Sequence, residues 1–370
     1  MTALTRLRLT DYRNYSGLDL RLDGRHVCLY GPNGAGKTNL IEAVSQLGPG
    51  RGLRGATLTE LTRQGAAGGW TVSASLAGQT VGVGLDRSGD TPKRTVRVDG
   101  AGAVAGALAE RVRLVWLTPA MDGVFRGGAS ERRRFFDRQV MAHIPGHGAA
   151  AARFEKAMRE RNALLERGHV DPGWADALDA RMADAGAELA RNRADVLIDL
   201  QAAVDARPEG PFPKADLTLL GELETLALEG AGLFDLRDRL VDLLRAMRGA
   251  DIKAGRTLKG PHRTDLGVLH RPTGAPARDA STGQQKALLI GLILASAHAL
   301  RARADGPAPL LLLDEAAAHL DSDRRAALFD EICDLGGQAW LTGTEAFLFD
   351  AFDARAQRFR VEDGQVSPGP

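Results

Sequence analysis

A glycine-rich segment near the N-terminus has the residue types and spacing needed to hold a chain of phosphates. Gly31-Pro32-Asn33-Gly34-Ala35-Gly36-Lys37-Thr38 matches G-x-x-x-x-G-K-[ST], between an apolar run and a predicted helix. The glycines allow backbone N–H groups to point at phosphate oxygens, and the helix start adds partial positive charge. Lys37 can reach the β and γ phosphates, and the Thr38 hydroxyl can ligate Mg²⁺. The segment therefore predicts a site for ATP and Mg²⁺.

Two carboxylates follow a wholly apolar run, Leu310 to Leu313, near the other end of the chain. A buried strand that ends in Asp314 can place this carboxylate beside the phosphate loop, where it would hold Mg²⁺ together with Thr38. Glu315 can then orient and deprotonate the attacking water. We therefore expect Glu315, Lys37 and Asp314 to form the catalytic set of a nucleotide hydrolase.

A third motif stands before a long apolar helix. The motif is Ala280-Ser281-Thr282-Gly283-Gln284-Gln285-Lys286, and its serine lies 33 positions before Asp314 (314 − 281). It resembles the L-S-G-G-Q signature of ABC-type ATPases. Ser281 would cap the helix, and Gly283 would permit close approach of a phosphate. The resemblance implies that Ser281, Gly283 and Gln284 complete the nucleotide site of a second protomer. It also implies that Asp321 lies on a loop crossing the interface of an ATP-sandwiched homodimer.

The remaining pattern predicts the elements that carry these motifs. Alternation predicts strands around Leu7 and Leu9 and an antiparallel β-meander between Trp70 and Asp99. More continuous apolar runs predict buried strands, and Asp363-Gly364 predicts a hairpin turn. The predicted buried strands and final hairpin are 27–30, 112–117, 310–313, 338–342 and 358–366, and the predicted helix after the phosphate loop is 38–47.

The middle of the chain is helical in pattern. We predict a first helix from Ala149 to Arg167 and a third from Leu236 to Met247. The second helix follows Pro172-Gly173, and its apolar residues from Leu178 to Leu200 are near heptad spacing. At 1.5 Å per residue each would span only about 20–45 Å. A short arm and an ordinary helical core fit this pattern equally.

Together these predictions give an α/β chain interrupted by helices. The expected fold is an ABC-type P-loop ATPase head, a mixed sheet plus an antiparallel β-meander, with an inserted short helical arm domain. The expected boundaries are 1–137 for the N-terminal half of the head, 138–256 for the arm, and 257–370 for the C-terminal half.

Four further segments indicate a branch of the ABC-type ATPases. They are 9–15 (LTDYRNY), 48–54 (GPGRGLR), 128–137 (GASERRRFFD) and 260–266 (GPHRTDL). These segments resemble motifs of the RecF family, in the SMC-like branch, and the likeness covers essentially the whole chain. The resemblance implies a weak, DNA-stimulated ATPase, which acts as an ATP-dependent clamp on gapped DNA and helps to load recombinase. It also implies RecR and RecO as partners.

The chain departs from the ABC transporter pattern at two places. Transporter ATPases carry Gln after the strand aligned with Leu114–Leu117 and His after the strand that ends near Thr342, and neither residue occurs here. Gln64 is a candidate for the transporter-type Gln elsewhere in the chain, and we interpret it as a surface residue. A transporter subunit and a scaffold that uses ATP only to hold a dimer are the alternative functions. The missing Gln and His count against the first, and the base Glu315 against the second.

The charge balance limits how the chain could bind DNA. Lys and Arg number 48 and Asp and Glu number 47, so the net charge of +1 excludes a histone-like polycation. Any DNA site must be a local patch, and Arg8, Arg51, Arg54 and Arg132 are candidates. The preference for arginine over lysine suits phosphate contacts, although a GC-rich genome produces the same bias.

Other polar residues give weaker predictions. Cys28 and Cys333 stand in largely apolar runs, which favours buried thiols in a reducing compartment. The N-terminus lacks the unbroken apolar run of a signal peptide, and Ala287 to Ala297 is too short to cross a bilayer, so we expect a cytoplasmic protein without membrane contact. We interpret His262 and Arg263 as a hinge between arm and head, with a phosphate or DNA contact as the alternative.

Overall fold

The computed structural model describes residues 3–87, 91–104, 106–166, 171–303, 306–318 and 320–370. The chain forms two compact units. Unit 1 consists of Met1–Asp122, Pro208–Phe212 and Leu289–Pro370, and unit 2 consists of Gly123–Arg207 and Pro213–Leu288. Because the chain enters and leaves unit 2 more than once, each unit is built from segments that are distant in sequence.

The bounds of the regular elements follow from the chain order. The strands are β1 (Leu4–Tyr12), β2 (Tyr15–Arg21), β3 (His26–Tyr30), β4 (Thr71–Leu76), β5 (Gln79–Asp86), β6 (Lys93–Val98), β7 (Ala101–Ala103), β8 (Leu114–Leu117), β9 (Ala215–Leu220), β10 (Asp265–His270), β11 (Ala275–Pro276), β12 (Leu310–Leu313), β13 (Ala339–Gly343), β14 (Ala356–Glu362) and β15 (Gln365–Pro368). The helices are α1 (Lys37–Ser45), α2 (Gly106–Ala109), α3 (Ala129–His143), α4 (His147–Leu165), α5 (Pro172–Ala206), α6 (Glu222–Leu228), α7 (Leu233–Ala254), α8 (Thr282–Ala302) and α9 (Ser322–Asp334).

Unit 1 contains two six-stranded sheets. The first is antiparallel, in the order β2-β1-β4-β5-β6-β7. The second has the order β15-β14-β3-β13-β12-β8 and is parallel except for the antiparallel edge pair of β14 and β15. All four residues of β12 are buried, as expected for a central parallel strand. The predicted mixed sheet and meander are therefore confirmed.

Unit 2 is mainly helical and also contains the antiparallel sheet β11-β10-β9. Helices α4 to α7 bury an apolar core in which Phe154, Met182, Leu236 and Leu240 take part. Charged groups are also buried here. Arg161 bonds Asp179 and Asp251 at 2.6 and 2.7 Å. These elements form one packed helical core.

Several local predictions need correction. Helix α5 has 35 residues and thus a length of about 52 Å at 1.5 Å per residue, longer than expected. It begins at Pro172, which needs no N–H donor there, and Asp171 caps it by accepting from the N–H of Trp174 at 2.8 Å. The predicted end of the preceding helix, Arg167, lies outside the described residues. The sequence pattern also missed β2 and the sheet of β9 to β11.

Candidate functional site: a phosphate loop and its carboxylates

The phosphate loop connects β3 to α1 within unit 1, and packing requires two of its glycines. A Cβ on Gly31 would lie 2.1 Å from the carbonyl oxygen of Val361. A Cβ on Gly36 would lie 2.6 Å from Asn14 Nδ2 and 2.7 Å from the Tyr15 hydroxyl, and the φ angle of Gly36 is +114°. No larger residue fits either position, so the backbone can follow this path only with glycine at 31 and 36.

Lys37 is buried at the first turn of α1, with 5% of its surface exposed. Its Nζ donates to the carbonyl oxygens of Gly31 at 2.6 Å and Pro32 at 2.8 Å. Burial lowers the pKa of Lys37, while the nearby carboxylates of Glu315 and Asp314 oppose that shift. The ammonium group thus lies inside the loop, where it could exchange carbonyl oxygens for phosphate oxygens.

Thr38 and Asp314, predicted as the metal ligands, meet in the structure. The Thr38 hydroxyl donates to Asp314 Oδ1 at 2.9 Å. A hydroxyl and a carboxylate oxygen are ligands that suit Mg²⁺, and these two lie within hydrogen-bonding distance of each other. The chemistry of these two residues therefore fits a Mg²⁺ ion, which they would hold together.

A third hydroxyl organises the end of β12. Thr342 on β13 donates from Oγ1 to Asp314 Oδ1 at 2.7 Å and accepts from the backbone N–H of Glu315 at 2.8 Å. Glu315 has a φ of +53°, an unusual backbone conformation for a residue with a side chain. The role of Thr342 was missed from the sequence, where only the absence of a nearby His was noted.

The turn between β1 and β2 packs against the phosphate loop and hydrogen-bonds to its carbonyl groups. Asn14 donates to the Ala35 carbonyl at 3.3 Å, and the Tyr15 hydroxyl donates to the Gly36 carbonyl at 3.1 Å. Arg13 forms two hydrogen bonds of 2.7 Å with Glu42, which is fully buried on α1. The Arg-Asn-Tyr segment was singled out from the sequence, but its bracing role was not predicted.

The signature segment lies in unit 2, at the start of α8. The backbone N–H of Ser281 donates to Gln284 Oε1 at 3.0 Å, and the N–H of Gln284 donates to Ser281 Oγ at 3.3 Å. This reciprocal pair is a helix capping box. Ser281, Gly283 and Gln284 are exposed, whereas Gln285 is buried and donates to the carbonyls of Arg278 and Ala280. The segment is thus a preformed, accessible helix start.

The remaining candidates of unit 1 have separate surroundings. Asp321 caps α9 by accepting from the N–H of Arg324 at 2.8 Å. Gln64 is exposed, as are Thr344 and Glu345 after β13. Cys28 is buried and Cys333 is partly buried, and both thiols are free. Burial raises the pKa of both thiols, so the structure gives neither the character of a nucleophile.

The four candidate DNA-binding arginines have different local partners. Arg8 lies 3.7 Å from Asp19, and Arg54 donates to Asn39 at 2.9 Å. Arg51 is exposed. Arg132, in unit 2, donates from two nitrogens to Asp265 at 2.7 and 2.8 Å, so part of its hydrogen-bonding capacity is already used.

His262 and Arg263 contact nearby backbone carbonyl groups. His262 Nε2 contacts the Thr257 carbonyl at 3.1 Å, and burial lowers the pKa of His262 to about 4. Arg263 donates to the Leu258 carbonyl at 3.3 Å. Within the part of the chain that the structure describes, no group of three or more His, Cys, Asp or Glu residues could hold a metal ion. Among the same residues, no helix has the length and apolar character needed to cross a membrane.

Comparison with known proteins agrees with this geometry. The family described as "RecF/RecN/SMC N terminal domain" matches residues 3–364. DNA replication and repair protein RecF of Rhizobium etli (strain CIAT 652) is 50% identical, with 98% of each chain covered. Its counterpart in Allorhizobium ampelinum is 50% identical, with 99% of each chain covered. A solved structure of the recombination mediator protein RecF-ATPrS in the RecFOR pathway matches with a TM-score of 0.83 at 23% identity, covering 100% of this chain and 98% of that one. The fold is that of an ABC-type ATPase, and the chain belongs to the RecF family of DNA replication and repair proteins.

Proposed function

We propose that the chain is an ATP-dependent DNA-binding clamp of recombinational repair, which closes as a homodimer and reopens on slow ATP hydrolysis. The observation that carries this proposal is the contact of Thr38 with Asp314 at 2.9 Å, beside the buried ammonium group of Lys37. A site of this kind binds the phosphates of a nucleoside triphosphate. Membership of the RecF family supports DNA as the molecule whose binding ATP controls.

The donor set fits ATP with Mg²⁺. Backbone N–H groups of Gly34, Gly36 and Lys37 would cradle phosphate oxygens, with Pro32, Asn33 and Ala35 shaping the loop between them. Thr38 and Asp314 would hold the Mg²⁺ ion, which neutralises charge on the transferred phosphoryl group. Glu315 would take the proton of the attacking water, and the hydrogen bond from its N–H to Thr342 fixes its backbone.

The exposed signature supports a composite site. Ser281, Gly283 and Gln284 are accessible at a helix start whose N–H groups favour an anion. We propose that they contact the nucleotide held by a second protomer, and that Asp321 lies at the same interface. Binding of ATP would then favour closure, because the γ-phosphate contributes contacts on both sides.

Relatives that are 50% identical are named DNA replication and repair proteins, and this supports DNA as the partner. We propose contact with the sugar–phosphate backbone of gapped DNA, without sequence preference, and a weak ATPase that DNA stimulates. RecR and RecO are proposed as partners on family grounds, and the cytoplasm as the location. The domain limits at 137/138 and 256/257 stay predictions.

The direct test is DNA binding by the purified protein with ATP and with ADP, on duplex, single-stranded and gapped oligonucleotides. We expect ATP to strengthen binding to duplex-containing substrates and the affinity to fall steeply with salt, as release of counterions requires. Equal affinity with both nucleotides would refute ATP control, and salt-insensitive binding would refute backbone recognition. A parallel steady-state ATPase assay distinguishes the hydrolase from a scaffold that binds ATP without turnover.

A further inference from the structure

The first sheet of unit 1 has a groove of about 560 Å³ on its outward face. Its floor and walls come from β4, β5 and β6, and none of its lining residues belongs to the phosphate loop. The side chains facing this groove are small or hydrophilic: Thr71, Ser73, Thr80, Asp86, Thr95 and Arg97, with Gly82 and Gly84 on the floor. Asp86 is the acidic member of this set, and its neighbour across the strand pair is Lys93.

The groove exists because β5 has glycine at its two central outward positions, Gly82 and Gly84. Val81, Val83 and Leu85 alternate into the core, which leaves Gly82 and Gly84 as outward positions. Gly82 pairs with Ser73 on one side and Arg97 on the other. Since neighbouring strands lie about 4.8 Å apart, β4 and β6 are about 10 Å apart across this trough.

Gly82 and Gly84 differ in whether the surrounding packing requires glycine. A Cβ on Gly84 would lie 2.9 Å from the Trp70 carbonyl oxygen, so internal packing accounts for Gly84. A Cβ on Gly82 would meet nothing closer than 3.6 Å. Glycine weakens a strand interior and often marks a bulge, a tight bend, or the close approach of a ligand or another backbone. At Gly82 the pairing of β5 with β4 and β6 runs without a register shift, so a bulge does not account for this glycine. Gly82 is therefore the position that indicates an occupant.

The charge around the groove is positive. Register places Arg8 opposite Ser73, and Arg6 opposite both Ser75 and Arg21, so the cationic surface continues across β1 and β2. Asp19 lies near both Arg6 and Arg8, one carboxylate for two guanidinium groups. The charged outward positions on these strands are Arg6, Arg8, Arg21, Lys93 and Arg97 against Asp19 and Asp86. An excess of cations on this face is notable in a chain whose net charge is +1.

We propose that this face binds the phosphodiester backbone of duplex DNA, with one strand of the duplex over the trough at Gly82. The proposal rests on the proposed function and assigns a surface to it. Hydroxyl and guanidinium groups are the side chains that contact phosphates. None of the described outward positions on β1, β2, β4, β5 and β6 is aromatic, and single-strand recognition relies on such stacking platforms. The same described positions include no large apolar side chain of the kind that anchors a protein interface.

The experiment measures fluorescence anisotropy of a labelled duplex of arbitrary sequence, with ATP, over a range of salt concentrations. Gly82→Glu places a carboxylate in the trough and should weaken binding about tenfold or more. Gly82→Gln, of the same size without charge, should weaken it less. Arg97→Gln should lower the slope of log affinity against log salt by about 1. Arg360→Gln removes an exposed cation from β14, in the other sheet of unit 1, and is the matched control that should bind like the parent.

Each result decides between distinct conclusions. ATP binding is measured for every variant, so that a misfolded unit 1 is recognised, and Arg97→Gln remains decisive if either Gly82 variant fails to fold. A parent protein that binds no DNA would overturn the proposed function itself. A parent that binds DNA while Gly82→Glu and Arg97→Gln bind equally well would overturn this surface alone. Weakened binding of single strands but not of the duplex, or loss of dimerisation with normal DNA affinity, would also overturn it.

Discussion

The hydroxyl of Thr342 donates a hydrogen bond to Asp314 Oδ1 at 2.7 Å and so links the ends of two neighbouring parallel strands. The same oxygen accepts the N–H of Glu315 at 2.8 Å. One buried side chain therefore positions the proposed metal ligand and the proposed base. Its loss would remove one of the two hydroxyls that donate to Asp314 Oδ1, the other being that of Thr38, and would leave a backbone donor without its partner.

We expect Thr342→Val, which keeps the shape of the side chain, to reduce ATP hydrolysis about 10- to 100-fold, since an unmade buried hydrogen bond costs about 1–3 kcal/mol. The Mg²⁺ concentration for half-maximal activity should rise, because Asp314 would be less well oriented. Nucleotide binding measured without Mg²⁺ should stay near the parent value. Thr342→Ser restores the hydroxyl and should recover most of the activity. If valine and serine variants behave alike, the hydroxyl has no positioning role.

Glu315→Gln should separate ATP binding from hydrolysis. The amide keeps the size of the side chain but cannot accept a proton, so hydrolysis should fall about 100- to 10,000-fold. ATP should still bind, and a dimer should accumulate in analytical ultracentrifugation because reopening is blocked. A variant that hydrolyses ATP at the parent rate would exclude Glu315 as the base.

Ser281→Arg and Lys37→Ala test whether the signature acts on a partner's nucleotide. The arginine should block docking of the partner's phosphate while its own protomer still binds ATP, and Lys37→Ala should largely abolish ATP binding because a charge-assisted contact is lost. Neither variant alone has an intact composite site. An equimolar mixture forms one intact site per mixed dimer, so it should recover part of the phosphate release. Ser281→Arg protein that dimerises and hydrolyses ATP normally would contradict the sandwich dimer.

Arg161→Leu should strongly destabilise unit 2. Arg161 is 1% exposed and bonds Asp179, Asp251 and the Thr257 hydroxyl. Its removal leaves the buried carboxylate of Asp251 without its cation, and leaves Asp179 with Arg248 alone. The expected loss is about 3–5 kcal/mol in the free energy of unfolding, measured with urea. Arg159→Leu, on the same helix with an exposed ion pair, is the control and should cost less than about 0.5 kcal/mol. Similar losses in both variants would show that the buried network adds nothing.

His26 should make the stability of unit 1 depend on pH. Burial, with repulsion from Arg355, lowers the pKa of His26 to about 4, and Nδ1 accepts the N–H of Ala339 at 3.1 Å. The unfolded chain has a His pKa of about 6.5, so it binds the proton first as the pH falls. The contribution of His26 is therefore complete above pH 6.5 and declines toward pH 4, by up to about 3 kcal/mol. His26→Asn keeps an acceptor without titrating and should flatten urea midpoints over this range. An unchanged slope would exclude His26 as the cause.

The sequence by itself determined the phosphate loop, the acidic pair and the signature, because each is a local pattern that includes the strand or helix beside it. Gly31 to Thr38 needs only a preceding strand and a following helix, and the structure supplies β3 and α1. The α/β class and the meander followed from the same kind of local periodicity.

Only the tertiary structure decided which distant residues complete the site. The parallel register of β12 and β13 sets Leu313 opposite Leu341, and this brings Thr342 to Asp314. The pairing of β1 with β2 forms the turn that places Asn14 and Tyr15 under Gly36. Such contacts depend on strand register between residues far apart in the chain, which no local spacing encodes. Local spacing likewise marks Arg132 as cationic, but only packing against β10 shows that Asp265 already engages it.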